Sequence, residues 1–240
     1  MDKDYFYFKN FRLRNRDAAL KINTDGVLLA AWADTQESES LLDVGTAGGV
    51  IAFILAYRNP QCKLTGIDIC TMSIDEANYN KSINEPTLDI NFIEQSLQEH
   101  SLSNISYDHI VSNPPFFDVD LSSITKDETP KQKAKHSYNL SLEELLDCSQ
   151  KLLNIKGKLS IIIDYRDEDK LKTIFQKHNF IISRILRVSG KPSHLPNRLL
   201  LELVKTTIGS IKENSISIRN ENGSYTEEYK AMTKDWYLNF

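Results

Sequence analysis

Between residues 40 and 205, short apolar and β-branched runs alternate with longer amphipathic stretches, and that alternation leaves few architectures open. "SLLDVG" (40–45), "KLTGIDI" (63–69), "DINFIEQ" (89–95), "YDHIVSN" (107–113) and "KGKLSIIID" (156–164) have the length and character of strands. "GVIAFILAYRN" (49–59), "SIDEANYNKSIN" (73–84) and "SLEELLDCSQKLL" (141–153) read as the helices between them. Ser73 with Glu76, and Ser141 with Glu144, have the spacing of capping boxes. "DEDKLKTIFQKHN" (167–179) predicts a further helix, followed by β-rich runs at 180–188 and 198–205. Repeated β-α units specify an α/β domain with a mainly parallel, seven-stranded sheet and helices on both faces. Only "SGKPSHLPN" joins the last two strands, too little chain for a parallel crossover, so the final strand should run antiparallel.

Two flanks lie outside this core of residues 40–205. Residues 1–39 carry an aromatic and basic start and a helix around "TDGVLLAAWAD". Residues 206–240 carry a short hairpin or strand at "ISIRNENG" and the helix-like "SYTEEYKAMTKDWYLNF". The 240 residues suit one sizeable core. No apolar run approaches the ~18 residues of a membrane span, and the start does not resemble a signal peptide, so a cytosolic protein without a membrane partner is expected. Cys62, Cys70 and Cys148 are scattered, which fits a reducing compartment and argues against a zinc site; no metal is expected. A formal charge of −4 gives no global nucleic-acid signature, so an RNA partner would need locally concentrated positive charge.

"LLDVGTAGGVIAF" puts Gly45, Gly48 and Gly49 at the first strand-to-helix turn, where open α/β sheets bind ligands. Asp68 ends the second strand about 20 residues on, where a carboxylate can accept both hydroxyls of a ribose. A plain turn and a strand-end cap are the alternatives. A dinucleotide asks for G-x-G-x-x-G; here the run is Gly45-Thr46-Ala47-Gly48-Gly49, with Asp43 just before it. Asp43 would repel a pyrophosphate but suits the cationic groups of S-adenosylmethionine (SAM). With an antiparallel last strand, the expected fold is the Rossmann-like one of class I SAM-dependent methyltransferases.

"YDHIVSNPPFFDVD" (107–120) begins as a buried strand and stops on two prolines, which can neither continue the ladder nor start a helix. Asn113-Pro114-Pro115-Phe116 resembles the N-P-P-[YF] motif of SAM-dependent methyltransferases acting on planar, amide-like nitrogens. The resemblance implies that the Asn113 side-chain oxygen and the Pro114 carbonyl accept hydrogen bonds from a target NH₂, and that Phe116 stacks on its plane. The chemistry is reasonable. An exocyclic adenine amine is a poor nucleophile because its lone pair is delocalised into the ring. Two fixed acceptors can turn that lone pair toward an electrophilic methyl and stabilise the developing positive charge. Proline fixes φ and preorganises the acceptors, and an aromatic receives a base that has left its stack.

"FYFKNFRLRNRDAALKINTDGVLLAAWA" resembles the opening of the bacterial tRNA1(Val) adenine N6-methyltransferases through Phe6, Phe8, Lys9, Phe11, Lys21, Thr24, Asp25, Gly26, Leu28, Leu29, Ala31 and Trp32. The tail "YTEEYKAMTKDWYLNF" is similar to that family's ending, so the resemblance spans nearly the whole chain. It implies that Lys21, Thr24 and Asp25 border the methionine end of SAM and that Asp43, Gly45, Thr46 and Gly49 line it. Asp68, with Ile69 beside it, would hold the ribose, and Ser96 stands where relatives place an aspartate against the adenine of SAM. Asn113, Pro114 and Phe116 would handle the target adenine, the base 3′ of the anticodon, next to the cofactor. Ala47 replaces a usual glycine, so Gly48 is expected to compensate.

For the RNA partner, an anticodon stem-loop, Lys9, Arg12, Arg14 and Arg16 alternate with Phe8 and Phe11. The alternative is a solvated edge strand with its aromatics in the core. Lys131, Lys133, Lys135 and His136 follow the N-P-P-F motif and could grip phosphates, or form a solvated loop. A monomer is expected. Two other functions compete: methylation of another planar amine or amide, an rRNA base or a protein glutamine, and a non-catalytic Rossmann-like RNA-binding scaffold. The first, on a glutamine, usually comes with a helical N-terminal domain for which 39 residues leave little room. The second has no use for Asp68 together with Asn113-Pro114.

Overall fold

The computed structural model describes residues 2–84, 87–114, 140–165, 168–206 and 209–239. Phe116, Lys131, Lys133, Lys135 and His136 therefore lie outside the described residues. A hairpin, β1 (Tyr5–Tyr7) and β2 (Arg12–Arg14), precedes α1 (Thr24–Trp32). Alternating units follow: β3 (Ser40–Val44), α2 (Val50–Arg58), β4 (Lys63–Asp68), α3 (Thr71–Ser82), β5 (Ile90–Glu94), α4 (Leu97–His100) and β6 (Tyr107–Ser112). The chain continues through α5 (Leu142–Leu152), β7 (Leu153–Asp164), α6 (Glu168–Lys177), β8 (Ile181–Ser189), β9 (Arg198–Val204), β10 (Lys212–Ser217) and α7 (Glu227–Thr233).

The main sheet has the order β10-β8-β9-β7-β6-β3-β4-β5. β9 runs antiparallel to β7 and β8, and every other pairing is parallel. The sheet thus has eight strands rather than the expected seven. The eighth, β10, reads KENSIS and is mostly exposed, so its sequence carries no apolar alternation. It is held at the edge by its ladder to β8, by Arg187–Glu213 at 3.0 Å and by a Ser189–Ser217 hydroxyl pair at 2.8 Å.

Strand residues point alternately to two buried faces. Leu41 packs on one side with α1, α2, α3 and α7, whereas Leu42 packs on the other with α5 and α6. Burial on both faces explains the nearly unbroken apolar runs. Ser141 and Glu144 form the predicted capping box at α5.

Ser73 and Glu76 do not form one. α3 starts earlier, at Thr71, and both residues are buried against the N-terminal segment. Glu76 accepts hydrogen bonds from the backbone N–H groups of Arg16 (2.8 Å), Asp17 (2.9 Å) and Ala18 (2.5 Å), and Ser73 Oγ accepts from Ala19 N. Asn80 and Asn84 each bond both backbone groups of one β2 residue, Arg14 and Arg12 respectively. Side chains four apart on the helix thereby match backbone groups two apart on the strand. α3 leads away from the carboxyl edge of the sheet, so this pairing carries the chain from Arg12, near the far edge, up to Lys21 at the ligand-binding edge. Asn84, just past the end of α3, and Ser73 are 11 positions apart, about 16 Å at the helical rise per residue.

Candidate active site

Strand order reverses at β3, which pairs with both β4 and β6. The turn after β3 is therefore at the switch point, where a crevice opens at the carboxyl edge. Gly45 and Thr46 donate their N–H groups to the Ile67 carbonyl of β4, at 2.9 and 3.0 Å. Gly45 (φ 72°) and Gly49 (φ 91°) take left-handed backbone conformations. A Cβ on Gly49 would also come within 3.0 Å of the Phe92 ring, so glycine is required there twice over. Gly66 plays a part the sequence did not suggest: a Cβ there would lie 2.7 Å from Phe92 and 2.8 Å from Thr46 Oγ1. Its missing side chain makes room for the threonine of the turn.

The expected compensation at Gly48 does not occur. Ala47 itself adopts φ 47°, while Gly48 keeps an ordinary backbone and its carbonyl accepts from Asn80 Nδ2 at 2.9 Å. The Ala47 conformation is stabilised because its N–H donates to Asp68 Oδ2 at 3.0 Å. Ala47→Gly should relieve the crowding of Cβ and raise unfolding free energy by roughly 0.5–1 kcal/mol in denaturant titrations. An unchanged or lower stability would show that the turn is not strained.

Asp68 also accepts from Cys70 N through Oδ1, at 2.9 Å. The strand-end cap and the ribose-binding role are thus compatible, because each carboxylate oxygen keeps a lone pair after its backbone bond. Burial raises its pKa above the ordinary aspartate value, opposed by the N–H groups of Cys70, Ala47 and Ile69. Asp43 is wholly buried. Its Oδ2 accepts from Thr46 Oγ1 at 2.7 Å, whereas Oδ1 has no hydrogen-bond partner among the described residues. Burial pushes the Asp43 carboxyl up to about 7, with the Thr46 hydroxyl and the Ala52 N–H pulling it back down. A raised folded-state pKa means that ionising Asp43 costs stability as pH rises toward that value. A nearby cation would offset the cost, which suits a ligand carrying an ammonium or sulfonium.

Between the glycine turn and residues 14–23 runs a narrow cleft enclosing about 30 Å³. Lys21, Gly45, Thr46 and Asn113 line it, with Asn23, which sequence reasoning missed. Asn23 Oδ1 also caps α1 by accepting from Gly26 N at 2.9 Å. An asparagine just before Thr24-Asp25 is a helix-start signal that could have marked it. Register places Asn113: Val44 pairs with Ser112, so the residue after β6 lies beside Gly45. The cleft thus joins the glycine turn to an amide at the end of β6, while Asp68 lies outside its lining, bonded to the turn through the Ala47 N–H.

Residues 19–184 match the methyltransferase small domain family. A protein of Parabacteroides distasonis named tRNA1(Val) (adenine(37)-N6)-methyltransferase is 37% identical over 99% of both chains. One of the same name from Bacteroides thetaiotaomicron is 32% identical, again over 99% of both. The chain belongs to the tRNA1(Val) (adenine(37)-N6)-methyltransferase family. Among solved structures, a predicted O-methyltransferase from Agrobacterium tumefaciens superposes with a TM-score of 0.66 at 15% identity, covering 88% of this chain and 96% of its own. A ribosomal protein L11 methylase from Lactobacillus delbrueckii gives 0.56 at 19% identity, covering 81% and 84%. These two support the fold, a Rossmann-like methyltransferase.

Not every residue carried over from this methyltransferase family lines the cleft: Asp43, wholly buried, and Gly49 and Asp68 on either side of the turn do not. Lys21 does, with its ammonium donating to the Arg16 carbonyl. Asp25 instead pairs with Arg198 Nε at 2.8 Å, and Arg198 NH1 reaches Asp164 at 2.6 Å, tying α1 to the edges of β7 and β9. Thr24 lines a neighbouring cavity. Ile69 is exposed just past Asp68. Ser96 caps α4, a helix not read from the sequence, and donates its hydroxyl to Glu99 at 2.8 Å. Of the basic N-terminal residues, Arg14 turns inward over the Tyr79 ring and pairs with Glu76, whereas Lys9 and Arg12 face solvent. Phe8 and Phe11 are buried and stacked 4.5 Å apart, as the edge-strand alternative required. Among the described residues no group of three His, Cys, Asp or Glu could hold a metal ion, and no helix is long and apolar enough to cross a membrane.

Proposed function

We propose that this chain transfers a methyl group from SAM to the exocyclic N6 amine of an adenine in tRNA, the base 3′ of the anticodon in tRNA1(Val). The observation that carries this reading is Asn113 lining the same cleft as the glycine turn, in a chain of this family. Bound SAM supplies an electrophilic methyl: an N–C bond forms as the S–C bond breaks, and the surplus amine proton leaves to water.

The chain's own residues bind and aim. Asp68 accepts the ribose hydroxyls through its spare lone pairs, and exposed Ile69 offers an apolar face to the adenine of the cofactor. Gly45, Thr46 and Gly49 let the backbone approach closely, with Asp43 beneath as the counter-charge. Lys21 and Asn23 border the methionine end, while Thr24 and Asp25 act through the α1 terminus. Ser96 retains acceptor capacity after its bonds to Glu99. The Asn113 side-chain oxygen and the Pro114 carbonyl accept from the target NH₂, and Phe116 stacks on the base. Lys9, Arg12, Lys133, Lys135 and His136 remain candidates for phosphate contacts; Arg14 is chiefly a packing residue.

The direct test incubates the full chain with SAM and unmodified tRNA, then measures N6-methyladenine by mass spectrometry of nucleosides. Its appearance at the position after the valine anticodon supports the proposal, and methylation confined to protein or rRNA refutes it. Asp68→Ala should raise the SAM dissociation constant by at least tenfold in calorimetry, because charge-assisted hydrogen bonds to the ribose are lost. An unchanged constant would remove Asp68 from the site.

A further inference from the structure

We infer that a cavity closed by both chain ends is a second base-binding subsite, taking a nucleobase of the RNA next to the adenine received by Asn113. This rests on the function proposed above and adds a specificity element to it. The cavity encloses about 420 Å³, far more than the cofactor cleft. It opens to solvent past the exposed Arg219 and Asn239, so a solute can enter it. It falls in the ~300–1,000 Å³ range of sites for small organic groups.

The walls have the chemistry of base recognition. Phe6, Tyr225, Tyr229 and Tyr237 line the cavity, with Ile22 and Ile218. Tyr229 is buried in the core, but Phe6, Tyr225 and Tyr237 are only half-buried. Tyr225 is itself stacked on Tyr229, ring centres 5.3 Å apart, so a base that has left a helix would stack on the Arg219 guanidinium plane above Tyr225 rather than on that ring directly. Arg219 lines the same cavity, exposed, with its guanidinium 4.1 Å from the centre of the Tyr225 ring. Bonds to the Gly223 carbonyl (2.7 Å) and Tyr225 hydroxyl (3.0 Å) fix the guanidinium plane. A fixed plane over a tyrosine extends the stacking surface, and unstacked RNA bases are bound on arginine planes as well as on rings. Both of those hydrogen-bond acceptors are uncharged, a carbonyl and a hydroxyl, so the guanidinium charge can face a phosphate.

Location decides the occupant. Ile22 and Asn23 line both this cavity and the cofactor cleft, so one short stretch of backbone separates them. Ile218 and Arg219 directly follow β10, which ends at the same sheet edge as β3 and β6. An RNA strand that delivers one base to Asn113 must pass its neighbours along this edge. Arg12, by contrast, is bonded to Asn84 near the opposite edge.

The test compares wild type, Arg219→Ala and Tyr225→Leu, all full-length, in steady-state methylation of the tRNA1(Val) anticodon stem-loop. The RNA is used intact or with an abasic site at either nucleotide flanking the target. For wild type, one abasic site should raise KM about tenfold with kcat changed less than twofold, consistent with loss of one stacked base. Arg219→Ala should raise KM on intact RNA about tenfold, and the same abasic site should then add less than twofold, with Tyr225→Leu behaving alike. SAM affinity should not move in either variant. The subsite is overturned if neither abasic site matters, if the two losses multiply, as they would for a phosphate contact alone, or if both variants keep the wild-type KM, as for a protein-binding groove. Absence of N6-methyladenine with wild type and intact tRNA would strike the proposed function itself, a result distinct from any of these.

Discussion

Asn113→Ala should lower kcat for tRNA methylation about 10²–10³-fold while leaving the SAM dissociation constant within about tenfold. The size follows from removing one preorganised dipole that acts on charge developing at the amine. The selectivity follows from position: Asn113 borders the cleft at the end of β6, whereas Asp68, proposed to hold the ribose, and the glycine turn stand at the ends of β4 and β3. Single-turnover methylation and calorimetry on one folded preparation separate the two effects. If SAM binding falls together with activity, Asn113 is holding cofactor rather than aiming the target. Asn113→Asp keeps an acceptor at the same place and should lose less.

Glu76→Ala should cost about 3–5 kcal/mol of stability, the scale for breaking a buried, hydrogen-bonded charge site. Three backbone N–H groups of the segment 16–18 and the Arg14 side chain all donate to this one carboxylate. Without it those donors are stranded, and the wall of the cleft formed by residues 14–23 loses its anchor, so SAM affinity should fall too. Burial alone would raise the Glu76 pKa, but the N–H groups of Asp17, Arg16 and Ala18 outweigh it and hold the carboxyl below its usual 4.5. The sign follows from linkage: a depressed folded-state pKa contributes stability above about pH 4.5, and that contribution is lost as pH falls through the folded value. Denaturant midpoints measured from pH 7 down to pH 3 should therefore decline more steeply for wild type than for Glu76→Ala. Parallel curves would show that the clamp carries no differential charge stabilisation.

The same helix shows where sequence reasoning misleads. Ser73 and Glu76 have capping-box spacing, and the identical spacing at Ser141 and Glu144 does produce one. What separates the cases is the chain packed against α3, some 60 positions earlier, which offers Glu76 backbone donors that outcompete its own helix terminus. A local motif states what is available within a few residues and says nothing about distant competitors. β10 was met only at its end, where the strand or hairpin expected at 216–223 overlaps Ile216 and Ser217, because an edge strand needs only one ladder and its residues can be polar. Thr24 and Asp25 matched a family pattern but belong to the α1 terminus, where Arg198 claims the aspartate.

Sequence by itself determined the α/β class, the antiparallel course of β9, the glycine turn with Asp68, and the family, since each depends on local spacing or on residues close along the chain. It also held Asn113-Pro114 at the end of its strand, because prolines cannot continue a ladder. Tertiary structure alone decided which polar side chains line the cleft and which serve the fold: Glu76 and Asn80 went to the fold, and Asn23 both caps α1 and lines the cleft. It alone also brought Phe6 and Tyr237, 231 positions apart, around one cavity beside the cofactor cleft. The physical reason is that a buried donor or acceptor takes whatever partner folding brings within 3 Å, and sequence distance does not enter that competition.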